Sequence, residues 1–384
     1  MKHKKPTKMD FATDFSDDPT QSNTANAEFY FSPDIFELER RNIFQRNWVF
    51  FCHESQVAEA GDYLVGNVVG QSVYVMRGKD GVVRAFFNVC QHRAHQLLSG
   101  RGNLKSVIRC PYHSWTYDLD GRLRSAPKCD DVKNFDKASI SVSAVRMETV
   151  GGFVLVNLDA DAPSLDETAP TFRERLEAMV SDSAKLHHAK TQEFDINANW
   201  KVVVENFLEN YHSFYSGPAH ASLSDIIDQS SYQWDIAGKV IQFVGQGGAP
   251  DKLPYSVSGP RTLSGRSEGF IITFLWPSTA FIVLPGANVL LVFQMNPTAP
   301  EATFEPLHYF TLDGEIDAST RSAVDWFNEA LGPEDVVICE SVQRGLHSLG
   351  YTSGRLMVDP DCSKVWSEHF LHHFNSLNIA AIEE

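Results

Sequence analysis

The arrangement of hydrophobic and polar positions divides the chain into an all-β part and a mixed part. Between about 62 and 158, short apolar runs alternate with turn sequences such as Lys79-Asp80-Gly81, a pattern that predicts β-hairpins. Ser32-Pro33-Asp34 is typical of a helix start. Apolar residues at helical spacing between 171 and 188, then strand-like runs between 231 and 312, predict helices around an antiparallel sheet. The predicted fold class is α+β.

This pattern predicts four segments along the chain. Residues 1–28 are polar and are expected to form a flexible tail. Residues 29–47 are expected to form an N-terminal helix that packs on the larger domain. Residues 48–160 are expected to be a small all-β domain, and residues 161–384 a larger domain with an antiparallel sheet flanked by helices.

Charge and cysteine content exclude several classes of protein. The 384 residues include 33 basic and 49 acidic side chains, a net charge of −16, which argues against nucleic acids or anionic membranes as partners. No apolar stretch is long enough to cross a membrane, and no secretory signal follows the basic start. Six cysteines are too few for a disulfide scaffold, so a cytoplasmic location is expected.

Two cysteine–histidine pairs lie within the all-β segment. Cys90-Gln91-His92 is followed, after seventeen residues, by Cys110-Pro111-Tyr112-His113. Two thiols and two imidazoles suit either a zinc ion or a Rieske [2Fe–2S] cluster. The position of both pairs on loops between short strands favours the cluster, which Trp115 and Tyr117 would shield from water. His95 is expected to lie outside a ligand set that is already complete.

A second set of polar residues lies in the mixed segment. Asn206, Glu209 and His212 step by three, so on a continuous helix they would share one face. Such a polar face beside apolar residues indicates either a functional site or a helix surface exposed to water.

Both regions resemble the Rieske non-haem iron oxygenases, and in particular their terminal oxygenase (alpha) subunits. The first resemblance covers Asn88–Arg122 with its Cys/His pairs, and the second covers the acid-x-Tyr-His sequence Glu209–His212. Respiratory-chain Rieske proteins carry an additional disulfide-forming cysteine pair, whose places are taken here by His95 and Tyr112. The resemblance therefore indicates the oxygenase type, and it spans roughly residues 30 to 360.

The resemblance implies a mononuclear iron held by two histidines and one carboxylate. His212 would be the first ligand and His220 the second, although His220 lies eight positions after His212 where the family usually has five. Asp335 would be the carboxylate, with Glu334 and Glu340 as alternatives. Acids at this position are also common simply as helix-start residues that favour the helix dipole.

The implied activity is that of an NAD(P)H-dependent terminal oxygenase supplied with electrons by a separate flavin/iron–sulfur reductase or ferredoxin. Cys90, His92, Cys110 and His113 would hold the cluster that relays electrons to the iron, where dioxygen reacts. Glu209 and Asn206 are the candidate catalytic residues, and Asn206 could equally provide only structural support. In this family an acid such as Glu209 joins the two centres across a subunit boundary, which implies a homotrimer. A pure Rieske electron carrier and a binding protein with a degenerate site are the alternatives.

Two segments, 92–98 and 339–346, most resemble the branch of the family that oxidises choline, betaines and carnitine. A quaternary-ammonium substrate would need aromatic faces together with an acid or a neutral polar group that orients it. The candidates in the strand region and nearby are Tyr232, Trp234, Trp276, Phe281, Glu205 and Asp235. The alternative substrate, an aromatic acid, would need a basic anchor. The candidates for that anchor are Lys239, Lys252, Arg261 and Arg266.

Overall fold

The structure of the protein, a computed structural model, describes residues 11–223, 225–257, 263 and 269–383. They belong to two compact units, one formed by the chain up to Phe44 together with the chain from Leu165 onwards, the other by Gln45–Ser164. The predicted α+β class is confirmed, because the second unit is built of strands and the first combines an antiparallel sheet with helices. Within the described residues, no helix combines the length and apolar character needed to span a membrane.

The unit Gln45–Ser164 contains a seven-stranded sheet in the order β1-β10-β9-β4-β3-β2-β5 and a three-stranded sheet β6-β7-β8. Its strands are β1 (Val49–His53), β2 (Asp62–Val68), β3 (Gln71–Arg77), β4 (Val83–Phe87), β5 (Arg101–Asn103), β6 (Val107–Arg109), β7 (Thr116–Asp118), β8 (Leu123–Ser125), β9 (Ala144–Val150) and β10 (Phe153–Asn157). The turns between β3 and β4 and between β7 and β8 contain Gly81 and Gly121 at φ 79° and 91°, as the two hairpin sequences require. The core between the sheets includes Tyr117 and both cysteines of the paired motifs.

The larger unit is organised around an antiparallel sheet in the order β11-β18-β16-β15-β14-β13-β12, with β17 paired to β18. Its strands are β11 (His187–Ile196), β12 (Gln233–Ala237), β13 (Val240–Gln246), β14 (Gly269–Leu275), β15 (Thr279–Val283), β16 (Leu290–Gln294), β17 (Asn296–Ala299) and β18 (Ala302–Thr311). The central strands β15 and β16 are buried at every position, because they are continuous apolar runs covered on both faces.

Helices flank this sheet. They are α1 (Pro33–Leu38), α2 (Leu165–Thr168), α3 (Phe172–Met179), α4 (Trp200–Leu208), α5 (Pro218–Leu223), α6 (Ala318–Trp326), α7 (Gly332–Leu346) and α8 (His369–Glu383). Two π-helical segments, Glu39–Phe44 and Phe327–Leu331, continue α1 and join α6 to α7. The helix predicted from 171 to 188 ends at Met179, since β11 already begins at His187.

The expected flexible tail is wrong for residues 11–28. Phe11 and Phe15 are 1% and 7% exposed, and they stack on Phe29 and His372 with ring centroids 5.2 and 4.7 Å apart. The backbone N–H of Thr24 also donates to the carbonyl of Gly354 at 2.7 Å. The average polarity of the segment concealed these aromatic anchors. Residues 1–10 lie outside the described part of the chain.

The segment that follows holds α4 in place through a buried ion pair. The side chains of Glu39 and Lys201 are both 0% exposed and contact each other, and Trp200 donates its indole N–H to Glu39 at 2.8 Å. The Lys201 ammonium also lies 4.5 Å from the centroid of the Phe29 ring. Because α4 leads into the second polar motif, these contacts fix the start of the site described below.

Candidate metal centres

The two Cys/His pairs lie on loops with the same backbone geometry, residues 90–95 and 110–115, which we call the cluster loops. In the first, the N–H of Cys90 donates to the carbonyl of His95 at 2.8 Å, and the N–H of Ala94 donates to the carbonyl of Cys90 at 3.1 Å. The second loop repeats both hydrogen bonds, with Cys110 and Ser114 in the corresponding places. Ala94 and Ser114 both have positive φ, 56° and 59°. One turn type, used twice, therefore presents a cysteine and a histidine from each loop.

The thiols and imidazoles of the cluster loops differ in exposure. Cys90 and Cys110 are 3% and 1% exposed, whereas His92 is on the surface and His113 is half-buried. The rings of His92 and His113 are 4.6 Å apart. The Nδ1 atom of His113 is buried and has no hydrogen-bond partner. Two buried thiols and two converging imidazoles fit a [2Fe–2S] cluster with one thiolate-bound and one imidazole-bound iron.

Two aromatic side chains line this group, as the sequence predicts. The Tyr117 hydroxyl lies 3.2 Å from Cys90 Sγ and accepts the N–H of Gln91 at 3.0 Å. Burial raises the pKa of Tyr117, so its hydroxyl stays protonated and is available to donate to a thiolate at Cys90. Trp115 stacks on His92 at 4.8 Å. His95 is exposed with its ring Nδ1 2.5 Å from the carbonyl of Gln96, so it is placed apart from the four.

The second polar motif does not form one continuous helix. α4 starts at the Asn199 cap and ends at Leu208, and Glu209 has an extended backbone. The Glu209 carboxylate accepts the backbone N–H of His212 at 3.0 Å and also contacts the His212 ring at Nδ1. The common helix face expected for Asn206, Glu209 and His212 is therefore wrong, because Glu209 caps a separate short turn that begins at His212.

Three side chains from different elements converge next to this turn: His212, His220 on α5 and Asp335 in the first turn of α7. We call them the iron-site residues. His220 Nε2 lies 2.8 Å and His212 Nε2 lies 3.7 Å from Asp335 Oδ1, and one donor atom of each residue lies within 4.8 Å of the others. Two histidines and one carboxylate that meet at one point fit the facial site of a mononuclear iron.

The contacts of His220 with neighbouring acids also change its pKa. His220 is fully buried, and burial alone lowers its pKa. Hydrogen bonds and charges from Asp335 and Glu334 outweigh the burial and raise the pKa of His220 above its ordinary value.

The two alternative carboxylates point elsewhere. Glu334 Oε2 lies 2.7 Å from His220 Nδ1, on the side of the ring opposite Asp335. Glu340 accepts the side-chain amide of Asn197 at 2.7 Å. Among the three acids, Asp335 is the one that faces both histidines.

A cavity opens onto the iron-site residues. Its lining includes Asn206 and Glu209, four phenylalanines and one further acid, Glu305. The phenylalanines are Phe207, Phe270, Phe293 and Phe327. Most of the remaining lining is aliphatic.

The aromatic residues suggested by the sequence are not among the residues lining this cavity, and that expectation is wrong. Trp276 is buried and donates to Asn378 at 2.9 Å, Trp234 donates to the carbonyl of Cys362 at 2.8 Å, and Phe281 packs on Phe172. Tyr232 packs on Phe243. These four aromatic side chains pack within the fold instead.

The two suggested acids also lie away from the cavity lining, while a third acid was missed. Glu205 accepts hydrogen bonds from Tyr30 at 2.8 Å and Asn375 at 2.9 Å, and Asp235 pairs with Arg175. Glu305, on β18, lines the cavity instead, and burial together with the charge of Asp335 raises its pKa to about 8. In the sequence, Glu305 is recognisable as the one acidic residue within the largely apolar strand β18.

Two family profiles match the chain, one for each group of candidate ligands. The Rieske [2Fe-2S] domain matches residues 47–136, and the ring hydroxylating alpha subunit (catalytic domain) matches residues 183–383. The chain belongs to the ring-hydroxylating alpha-subunit family of Rieske non-haem iron oxygenases, and it is an enzyme. The cofactors expected from the resemblance, a Rieske [2Fe–2S] cluster and a mononuclear iron, are confirmed by this membership, and the zinc interpretation is wrong.

Individual relatives lie within one branch of that family. The carnitine monooxygenase oxygenase subunit of Acinetobacter pittii (strain PHEA-2) is 38% identical over 369 residues, 95% of this chain and 96% of the relative. The chloroplastic choline monooxygenase of Beta vulgaris is 29% identical and covers 93% of this chain and 76% of its own length.

Two solved structures illustrate the likeness in fold. The quaternary ammonium Rieske monooxygenase CntA in complex with its substrate L-carnitine matches at a TM-score of 0.84 and 35% identity, over 96% of this chain and 98% of that one. The naphthalene 1,2-dioxygenase of a Rhodococcus species shares the fold at a TM-score of 0.76 and 20% identity, over 94% of each chain.

Proposed function

We propose that this enzyme oxidises a small quaternary-ammonium compound, by hydroxylation or N-demethylation, in the cavity beside the iron-site residues. The observation that carries the proposal is the lining of that cavity. It combines four phenylalanine rings with the carboxyl group of Glu305 and includes no lysine or arginine among the described residues. Each ring face attracts a methylated ammonium by about 0.5–2 kcal/mol. A cation beside Glu305 would also favour its ionised form.

The same lining argues against an aromatic acid as substrate, because a carboxylate would need a basic anchor. Lys239 lies 5.3 Å from the centroid of the Trp276 ring, and neither Lys239 nor Lys252 lines the cavity. Arg261 and Arg266 lie outside the described residues.

The relatives support a cationic substrate. They are named for carnitine and choline, and solved CntA complexes contain L-carnitine and gamma-butyrobetaine. These compounds share a quaternary nitrogen and differ in the rest of the molecule, so the nitrogen is the feature that we extend to this enzyme.

We infer that the four residues of the cluster loops bind the [2Fe–2S] group and that the iron-site residues bind Fe(II). When bound, these groups supply one-electron transfer and the activation of dioxygen. The protein orients the metal-binding histidines from behind. Glu209 contacts Nδ1 of His212, which leaves Nε2 of that ring available to a metal.

Glu209 and Asn206 are the proposed catalytic residues. Glu209 lines the cavity and contacts a ligand, which supports a role in passing electrons and protons to the iron from the cluster of a neighbouring subunit. The work on CntA describes inter-subunit electron transfer in that protein. We propose that this enzyme is a homotrimer in which electrons likewise pass between neighbouring subunits. Asn206 lines the same cavity and is proposed to hydrogen-bond the polar end of the substrate.

The electrons would come from a separate flavin/iron–sulfur reductase or ferredoxin. All six cysteines lie in the described part of the chain and none forms a disulfide, which supports the proposed cytoplasmic location.

The experiment is a substrate panel with the iron-loaded enzyme, NAD(P)H and a supplied reductase. Carnitine, gamma-butyrobetaine, glycine betaine and choline are compared with benzoate and other aromatic acids, and product is measured together with NAD(P)H and O₂ consumption. We expect coupled product from at least one quaternary ammonium compound. Coupled product from aromatic acids alone would contradict the proposed substrate class and leave the oxygenase assignment intact.

A further inference from the structure

The chain between His212 and His220 is longer than the family resemblance leads one to expect. Eight positions separate the two histidines, and the intervening residues form a short turn, His212–Phe214, and the start of α5. A longer connection leaves the second histidine more freedom, so the fold must fix it by other contacts.

Glu334, next to Asp335 on α7, supplies those contacts. Its Oε1 accepts the backbone N–H of Ala219 at 3.1 Å, and its Oε2 accepts the backbone N–H of His220 at 3.1 Å. The same Oε2 lies 2.7 Å from Nδ1 of the His220 ring. Two backbone N–H groups that donate to the same carboxyl group favour its ionised form.

The loop is shaped to admit this carboxylate. A Cβ on Gly217 would lie 2.7 Å from Glu334 Oε2 and 2.8 Å from its carboxyl carbon. Glycine at 217 therefore leaves the space that Glu334 occupies, and a larger residue would displace a group anchored by three hydrogen bonds.

We propose that Glu334 is a positioning residue that sets the orientation and tautomer of His220 and compensates for the lengthened loop. A carboxylate at Nδ1 favours a proton on that nitrogen, so Nε2, which lies 2.8 Å from Asp335 Oδ1, is the ring nitrogen that would bind the metal. This inference rests on the proposed iron site. Within that site, Asp335 is a ligand and Glu334 acts through His220.

The test compares Glu334→Gln, Glu334→Ala and Gly217→Ala by Fe(II) affinity and by the electron paramagnetic resonance spectrum of the nitric-oxide adduct of the ferrous site. An amide has one acceptor oxygen and cannot satisfy N–H donors on both sides, so even the Gln variant loses contacts. We expect Fe(II) binding weakened by about 10- to 100-fold in the Glu334 variants and an altered spectrum. Gly217→Ala should act in the same direction but less strongly.

Two controls separate positioning from general damage. Glu340→Gln removes a carboxylate on the same helix that bonds Asn197, and it should leave Fe(II) affinity and the spectrum unchanged. In a Glu334→Ala background, Gly217→Ala should have no further effect, because the displaced carboxylate is already absent. Far-ultraviolet circular dichroism and thermal unfolding check that every variant is folded, because the cluster loops belong to the other unit.

Three results would contradict the inference. Wild-type Fe(II) affinity and spectrum in Glu334→Ala would show that the carboxylate has no role at the site. Loss of all mononuclear iron in Glu334→Ala, with retention in Asp335→Ala, would make Glu334 the ligand. If the effects of Glu334→Ala and Gly217→Ala on Fe(II) affinity are additive, Gly217 does not act through the carboxylate of Glu334. If His212→Ala and Asp335→Ala both retain the iron, the proposed site itself has failed.

Discussion

The two candidate metal centres are built in opposite ways. The cluster loops lie within residues 90–115, repeat one turn, and are held by backbone hydrogen bonds inside each loop. The iron-site residues come from a turn after α4, from α5 and from α7, with Asp335 115 positions after His220. Carboxylates hold this second group from behind: Glu209 contacts His212 and Glu334 contacts His220. A centre made from local turns needs few outside contacts, whereas a centre assembled from distant elements depends on them.

The largest expected effect comes from removing one ligand of the mononuclear iron. His212→Ala or Asp335→Ala should reduce the iron content from about three to about two per chain and abolish turnover, because two remaining ligands do not hold an open facial site. The visible absorption of the cluster should be unchanged. Metal analysis and absorption spectra of the same samples measure both quantities, and full iron content in either variant would contradict the ligand assignment.

Replacing Glu209, whose carboxylate contacts Nδ1 of His212, tests how far the iron site depends on residues that hold its ligands in place. Glu209→Gln should retain both metal groups and lower turnover by about 100-fold or more, since the amide can neither carry the charge nor accept a proton. Glu205→Gln, which changes a half-buried acid on α4 that accepts hydrogen bonds from Tyr30 and Asn375, is the matched control and should keep most of its turnover. Near wild-type product formation by Glu209→Gln would leave Glu209 with a structural role only.

Changing the acid in the cavity beside the iron-site residues should have a smaller effect, which is limited to substrate binding. Glu305→Gln should raise KM for a quaternary-ammonium substrate by about 10-fold, because a charged partner contributes about 1.5 kcal/mol or more. Steady-state kinetics would measure this change. Asp235→Asn, which alters an acid outside the cavity that pairs with Arg175, serves as the control. An equal change in both variants would indicate a long-range charge effect instead of contact with the substrate.

The smallest expected effect comes from a substitution beside the cysteines of the cluster loops. Tyr117→Phe removes the hydroxyl that lies 3.2 Å from Cys90 Sγ. Loss of a hydrogen bond of about 1 kcal/mol to a sulfur should lower the reduction potential by on the order of 50 mV while the cluster remains assembled. Protein-film voltammetry measures the potential directly, and an unchanged value would show that Tyr117 acts through packing alone.

The same contrast explains what could be predicted from the sequence. Cys90, His92, Cys110 and His113 were predictable from spacing, because the turns that present them are local. His220 and Asp335 depended on family resemblance, since no local pattern connects α5 to α7. The break after Leu208 was not predictable, because no proline or glycine marks it and the Glu209 carboxylate bonds the next turn at His212.

The cavity lining was the least predictable part. Phe270, Phe293, Phe327 and Glu305 come from strands and from a π-helical segment that are distant in sequence. Only the packing of these elements separates the phenylalanines of the cavity from a strand aromatic such as Phe281, which fills the core.

Anomalous X-ray diffraction at the iron absorption edge, on crystals of the iron-loaded enzyme, tests the central claim most directly. We expect two close iron positions between the cluster loops and a separate single iron position among His212, His220 and Asp335. A single metal between the cluster loops, or an iron bound by residues other than His212, His220 and Asp335, would contradict it.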